Sequence, residues 1–210
     1  YVLVVIPTGV ANGHKGITET SLLANVPDVP HDKLNADEMI KFDPYENDIP
    51  YNWDRIDLGP EYWLMGITFK NDLYYTVGNN GFIAKSKDGF DWEYINSGIT
   101  NELWDITYGN GMFIIVGRDG TIINSTDGEK WDQVDSNVKI VLHGIDYGNK
   151  KFVIVGEEGT ILSSSDGIKW TKNYSENRGK FTDIIFAENQ FITVSDAIYT
   201  STNGKSWKRR

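Results

Sequence analysis

Tryptophans recur at a fixed interval along the chain, and this spacing limits the possible folds more than any other feature. Trp53, Trp92, Trp131 and Trp170 are each 39 residues apart, and Trp207 follows 37 residues later. The same 39-residue register holds in three further columns: Ile67, Ile106, Ile145 and Ile184; Phe69, Tyr108, Tyr147 and Phe186; and Val77, Val116, Val155 and Val194. A fixed period of this length indicates similar units that pack side by side.

Each repeat is predicted to be a sheet of four short strands. In the second repeat, the turn-forming pairs Asn110-Gly111, Asp119-Gly120 and Asp127-Gly128 separate strands predicted at 103–108, 112–116, 121–125 and 130–134,. The second strand is apolar throughout, so both faces of the sheet need a cover. Stacking around an axis provides it. The sequence therefore predicts an all-β fold, a β-propeller of four-stranded antiparallel blades at about 60–98, 99–137, 138–174 and 175–210, within residues 51–210.

A motif of the form Ser-x-Asp-Gly-x-x-Trp lies between the third and fourth predicted strands of each repeat. It occupies residues 86–92, 125–131 and 164–170, and the copy at 201–207 has Asn203 in place of the aspartate. The motif resembles the Asp-box, or BNR repeat, of sialidase-like propellers and of photosystem II assembly propellers, and the resemblance covers residues 53–210. It implies that the motif lies on the face away from the ligand site.

The motif is interpreted as a folding device rather than a metal or catalytic site. A short acceptor side chain can close the turn between strands three and four by accepting backbone N–H groups. Its tryptophan can cover the edge of the blade. The residues with these structural roles are Asp88, Trp92, Asp127, Trp131, Asp166, Trp170, Asn203 and Trp207.

The number of blades stays open at this point. Trp53-Asp54-Arg55-Ile56 keeps the register and matches the fourth strand of a preceding blade whose other strands are not recognisable. The chain could continue beyond Arg210, close as four or five blades with help from residues 1–50, or complete a ring with other chains. The first residue is Tyr rather than Met, which suggests a trimmed, processed or partial chain.

Residues 1–50 belong to no repeat and are predicted to form a connector or docking arm. Residues 1–7 read as a strand, residues 36–42 as a short helix, and residues 25–50 contain four of the six prolines,. The apolar side chains of the arm must pack either on the propeller itself or on another chain. The arm is therefore a candidate for association with other chains.

Composition excludes several classes of function. A net charge of −10 repels phosphate backbones, so no nucleic-acid partner is expected,. No apolar run reaches the length of a membrane span, and the absence of cysteine removes disulfides, thiolate metal sites and a cysteine nucleophile,. His14 and His31 form no metal-spaced cluster with the repeat, and no cofactor-binding motif is present,. No metal or cofactor is therefore expected.

The candidate ligand site lies where loops between blades and turns between strands two and three share one face. The candidate ligand-binding residues on that face are Trp63, Trp104, Arg118, His143, Glu157 and Arg178. Four of them have a structural alternative. Trp63 could anchor a partner or pack between blades, Trp104 and His143 could be core residues, and Glu157 could be a solvated turn residue.

The sialidase resemblance extends to the fold but not to the active site. Sialidases hold a carboxylate with three arginines, whereas the repeats place only Arg118 and Arg178 on the proper face. We therefore expect a non-catalytic recognition module that binds glycan or a cell-surface ligand within an extracellular or phage-tail-like assembly. The alternative is a protein-binding assembly or scaffold propeller, and a glycosidase is less favoured. The expected location is extracellular, on a cell surface or in a virion, and residue usage suggests a bacterial or phage source.

Overall fold

The computed structural model describes residues 4–6, 21–23, 62–173 and 179–210. The chain divides into two compact units, Tyr1–Arg55 and Ile56–Arg210. In the first unit, β1 (Val4–Ile6) pairs antiparallel with β2 (Ser21–Leu23). The strand predicted at 1–7 is thus present in its central residues. The predicted helix at 36–42 and the predicted outer strand at 53–56 lie outside the described residues.

The second unit contains four four-stranded antiparallel sheets, which confirms the predicted fold class. Blade 1 consists of β3 (Leu64–Lys70), β4 (Leu73–Gly78), β5 (Phe82–Ser86) and β6 (Trp92–Asn96). Blade 2 consists of β7 (Leu103–Gly109), β8 (Met112–Gly117), β9 (Ile122–Ser125) and β10 (Asp132–Val134). Blade 3 consists of β11 (Leu142–Gly148), β12 (Lys151–Gly156), β13 (Ile161–Ser164) and β14 (Thr171–Asn173). Blade 4 consists of β15 (Asp183–Ala187), β16 (Gln190–Val194), β17 (Ile198–Ser201) and β18 (Lys208–Arg209). Each sheet runs in simple chain order, so every connection within a blade is a hairpin.

The predicted turns form, and four strand ends in blade 2 shift by one or two residues: the first two strands each end one residue later, and the last two begin later. Asn110 and Gly111 both have positive φ, 47° and 83°, as a two-residue hairpin turn requires,. The third strand begins at Ile122 rather than at residue 121, because the backbone N–H of Thr121 donates to Arg118 and closes a 3₁₀ turn. The fourth strand begins at Asp132 rather than at residue 130, because the N–H of Lys130 donates to the motif aspartate.

The core lies between blades rather than within them. In β8, Phe113 and Ile115 pack against blade 1, whereas the alternating residues Ile114 and Val116 pack against blade 3. All four side chains are buried. Burying a side chain of this size stabilises a fold by roughly 1.5–3 kcal/mol. A strand that is apolar on both faces therefore needs a neighbouring blade on each side, and the blades stack in chain order.

The turn motif works through one side-chain oxygen. In blade 2, Asp127 Oδ1 accepts the backbone N–H groups of Glu129 and Lys130 at 2.8 and 2.9 Å and the hydroxyl of Ser125 at 3.0 Å. These hydrogen bonds lower the pKa of Asp127 to about 2,. In blade 4, Asn203 Oδ1 accepts the corresponding N–H groups at 2.8 and 2.9 Å. The turn thus needs an acceptor at this position rather than a charge.

The motif also forms part of the contact between blades. Trp131 packs into the core between blades 1 and 2, with its ring centroid 6.2 Å from that of Phe113. The motif glycine Gly167 has a φ of 71°, and a Cβ there would lie 2.5 Å from Sδ of Met112 in the preceding blade. The motif therefore closes its own turn and presses against the neighbouring blade at the same time.

This double role predicts different costs for two alanine substitutions. Gly167→Ala and Gly111→Ala both place a side chain at positive φ, but a Cβ at Gly111 meets no atom within 4 Å. We expect Gly167→Ala to lower the free energy of unfolding by about 1–3 kcal/mol more than Gly111→Ala, because the added methyl overpacks the blade contact. Urea unfolding of both variants measures the difference, and equal losses would contradict the described contact.

Buried carboxylates join neighbouring first strands. Asp105 accepts the N–H of Ile106 through Oδ1 and that of Ile145, in the next blade, through Oδ2, both at 2.8 Å. Asp146 accepts the N–H of Phe186 in blade 4 at 2.6 Å. Burial raises the pKa of Asp105 to about 7 against the lowering effect of these two N–H groups, and the nearby charges of Asp146 and Asp183 raise it further,.

The raised pKa of Asp105 predicts a pH-dependent stability. The folded chain holds this proton up to about pH 7, whereas the unfolded carboxyl releases it near pH 4, so stability falls as pH rises between these values,. We expect the free energy of unfolding of wild type minus that of Asp105→Asn to fall from pH 4 to pH 7 and then to stay level. Urea unfolding across this range measures it, and a constant difference would be the opposite result.

Candidate functional site

The two ends of the blades carry different structures. The upper end, as we call it, is where the first strands begin and where the turns between strands two and three lie. There the backbone N–H of Arg118 donates to Glu102 at 2.9 Å, and that of Glu157 donates to Val141 at 3.0 Å. The turn motifs join strands three and four at the opposite, lower end. The upper end is therefore built from loops held by backbone hydrogen bonds, and the turn motifs do not contribute to it.

Two of the predicted site residues sit at β-bulges on the upper end. In blade 2 the pairing shifts between Leu103 and Asp105, which leaves Trp104 as the extra residue of the first strand. In blade 3 the same shift leaves His143 as the extra residue. A bulge re-aims a side chain away from the regular alternation of a strand. These two side chains consequently meet across the boundary between blades 2 and 3.

Trp104, His143 and Lys180 form a cluster that crosses three blades. The rings of Trp104 and His143 contact edge to face, with centroids 4.8 Å apart,. The Lys180 ammonium, just before blade 4, lies 5.9 Å from the centroid of the Trp104 indole,. Lys180 is held there because Gly159 donates its N–H to Gly179 at 2.6 Å and Phe181 donates to blade 3. We call these three residues the aromatic cluster.

Charged groups surround the aromatic cluster. Glu157 Oε1 lies 3.8 Å from His143 Nε2, which is an electrostatic contact too long for a hydrogen bond,. Arg118 pairs with Glu102 at 3.3 Å, and both side chains stay partly exposed. Burial lowers the pKa of His143, Lys180 lowers it further, and Glu157 opposes them. The imidazole is therefore neutral at pH 7, between a cation and a carboxylate.

The aromatic cluster contains polar atoms that packing has not satisfied. Trp104 Nε1 and His143 Nε2 are buried, and no described residue supplies a hydrogen-bond partner for either. Buried polar groups in native proteins are nearly always paired, but the indole Nε1 atoms of Trp131, Trp170 and Trp207 are unpaired among the described residues as well, so the unpaired indole alone does not distinguish this cluster. Trp104 as a whole is only half-buried, and Lys180 beside it is exposed. The cluster thus combines an accessible aromatic surface with a polar interior.

The structure brings together three of the six predicted residues. Trp104, His143 and Glu157 lie in contact, and Arg118 lies on the same end paired with Glu102. The Trp63 side chain is 68% exposed rather than packed between two blades, and the backbone N–H of Trp63 donates to Asn79 Oδ1 at 2.7 Å. Arg178 lies outside the described residues.

The predicted site residues leave out two members of this surface, Lys180 and Glu102. Glu102 lies directly before β7 and Lys180 three residues before β15, in the same 39-residue register as Trp63 and Val141. This alignment was the available signal, because it places all four positions at the upper end.

Neither a metal site nor a membrane-spanning helix is found among the described residues. Across residues 62–173 and 179–210, and in the short β1–β2 pair, no group of three or more His, Asp or Glu side chains is placed to hold a metal ion. No helix in the same part of the chain is long and apolar enough to cross a bilayer.

Comparison with known sequences finds no matching protein-family model and no matching curated protein. Solved structures do match. YCF48 from Cyanidioschyzon merolae has a TM-score of 0.58 at 16% identity, over 74% of this chain and 58% of that one. YCF48 bound to D1 peptide has a TM-score of 0.55 at 16% identity, over 74% and 54%. The nidogen/laminin complex has a TM-score of 0.60 at 15% identity, over 71% and 65%.

An enzyme of the same fold is also similar. Virginiamycin B lyase from Staphylococcus aureus has a TM-score of 0.60 at 13% identity, over 70% of this chain and 54% of that one. At these identities the likeness shows the β-propeller fold and nothing finer. This chain spans little more than half the length of YCF48.

The electrostatics of the aromatic cluster predict opposite shifts in two variants. Removing the cation in Lys180→Gln should raise the pKa of His143, whereas removing the carboxylate in Glu157→Gln should lower it,. An NMR titration of the imidazole measures both, with the His143 signal assigned by its loss in His143→Gln. Shifts of the same sign in both variants would show that the two charges do not act on His143.

Proposed function

We propose that this chain is a non-catalytic propeller of the Asp-box type that binds a polypeptide at its upper end. The observation that carries the proposal is the aromatic cluster of Trp104, His143 and Lys180, with Glu157 beside it. A half-buried tryptophan flanked by a cation and a carboxylate offers a peptide both an apolar contact and partners for its charged groups. Such surfaces are typical of the few residues that dominate protein interfaces.

The comparisons favour this reading over glycan binding. Among the similar propellers, YCF48 occurs bound to a D1 peptide, and nidogen occurs in a complex with laminin. The motif aspartates favour a non-catalytic reading, because Asp88, Asp127 and Asp166 hold backbone N–H groups within their own turns. The proposal includes attachment to a larger assembly through residues 1–50.

Glycan binding is the second candidate, and one observation favours it. The indole of Trp63 is 68% exposed at the upper end, where it could stack on a sugar ring,. The two candidates use different tryptophans, so mutation separates them.

The test begins with a random peptide library displayed on phage and selected on the full chain. Binding of a selected, fluorescently labelled peptide is then measured by anisotropy. We expect Trp104→Ala to raise the Kd by about tenfold or more, since truncating a central interface aromatic commonly has this effect. Phe90→Ala is the matched control, because Phe90 is an exposed aromatic at the lower end and should leave the Kd unchanged.

Two results would contradict polypeptide binding at this surface. One is a selected peptide whose affinity falls in Phe90→Ala but not in Trp104→Ala. The other is failure to enrich any peptide, together with a glycan-array signal that disappears in Trp63→Ala. Circular dichroism of each variant establishes that the blades remain folded.

A further inference from the structure

The first blade presents an apolar face that is uncovered along its first strand. We call the face of a blade that meets the preceding blade its leading face and the opposite one its trailing face. On the leading face of blade 1, Ile67 is 63% exposed, whereas its counterparts Ile106, Ile145 and Ile184 are at most 4% exposed because the preceding blade covers them. Phe69, on the same face, is exposed as well.

The fourth blade presents the opposite face uncovered. On its trailing face, Val194 is 40% exposed and Ile198 is 50% exposed. Their counterparts in the first three blades are at most 1% exposed because the following blade covers them: Val77, Val116 and Val155; and Ile83, Ile122 and Ile161. The two uncovered faces thus carry the same residues as the two halves of the interfaces inside the chain.

A pairing of aromatic and small residues also continues across these two faces. The ring of Tyr147 lies against Gly109 of the preceding blade, and the ring of Phe186 lies against Gly148, where a Cβ would fall 2.0 Å from the ring. In the same register, the uncovered aromatic is Phe69 on blade 1, and the uncovered small residue is Ala187 on blade 4. Between blades 1 and 2 this position is Lys70, whose ammonium lies 4.6 Å from the centroid of the Tyr108 ring, so a ring is accommodated beside a residue that has a Cβ.

The alternation of glycine and aspartate in the first strands indicates which residue would pack against blade 4. A Cβ on Gly66 would lie 2.9 Å from the Cα of Asp105 in blade 2, and one on Gly144 would lie 3.1 Å from the Cα of Asp183 in blade 4. The column therefore reads Gly, Asp, Gly, Asp, and the next residue in the pattern is a glycine. Gly66 of a second copy would continue this alternation.

We infer that a second copy of this chain packs the leading face of its blade 1 on the trailing face of blade 4. Across this junction the Asp183 carboxylate accepts the backbone N–H of Ile67, as Asp105 accepts that of Ile145 inside the chain. Each junction joins different faces of the two partners, and a two-fold axis relates the two junctions. Two copies that meet at both junctions combine two sets of the four blades that the structure describes, and propellers usually have about 4 to 8 blades.

Sedimentation velocity and light scattering of the full chain test this inference. We expect wild type to have the mass of two chains, and Ile67→Asp and Ile198→Asp each to have the mass of one. A mixture of the two variants should regain the mass of two chains, at higher concentration than wild type, because one intact junction remains. This complementation is expected where the leading face of one copy meets the trailing face of the other, and not where each face meets the same face of its partner.

A milder substitution guards against loss of folding. Asp183→Ala should raise the dissociation constant of the pair about tenfold or more, since it removes a hydrogen bond at each of the two junctions. Glu158→Ala, in an exposed turn at the upper end, is the matched control and should leave it unchanged. Trp104→Ala should also associate normally, so failure of this inference and failure of peptide binding are distinguishable.

Three results would overturn the inference. The first is a wild-type chain that stays monomeric at every concentration. The second is a pair that Asp183→Ala and Glu158→Ala weaken equally. The third is a monomeric wild type that has a higher melting temperature than Ile67→Asp. This would show that other residues of the same chain cover the leading face.

Discussion

The structure depends on strands that are apolar on both faces. A strand such as β12 buries Phe152 and Ile154 toward blade 2 and Val153 and Val155 toward blade 4. Such a sheet has no stable exposed surface, so each blade is completed only by its neighbours. Hydrogen bonding within a blade is local and closes through tight turns, whereas the hydrophobic stabilisation comes from contacts between blades. The propeller architecture follows because hydrogen bonds build each blade and apolar contacts join each blade to the next.

The two ends of the blades carry side chains of different kinds. The lower end carries the turn motifs, whose side chains are occupied with backbone groups of their own turns. The upper end carries loops that only need to keep their backbone hydrogen bonds, and their side chains vary from blade to blade. Trp63, Glu102, Val141 and Lys180 occupy one structural position with four different chemistries. A binding surface can therefore change without altering the fold.

The periodic features were predictable from the sequence because they are local or repeated. The 39-residue register predicted the four sheets, and pairs such as Asn110-Gly111 predicted the hairpins. The contact of Trp104 with His143 and Lys180 was not predictable, because it depends on bulges and on how neighbouring blades approach each other. Register alone placed these residues at one end but gave no distance between them. The strand shifts in blade 2 likewise arose from turn hydrogen bonds that spacing does not reveal.

The glycine and aspartate column of the first strands has a consequence for how such a chain can change in evolution. Asp105 and Asp183, and likewise Gly66 and Gly144, are separated by two repeats rather than one. Copying a single repeat within the gene would set two aspartates or two glycines side by side, with either a crowded pair of charges or an empty space. Copying a pair of repeats would keep glycine and aspartate alternating in this column. For this set of contacts, the unit that can be duplicated is therefore a doublet.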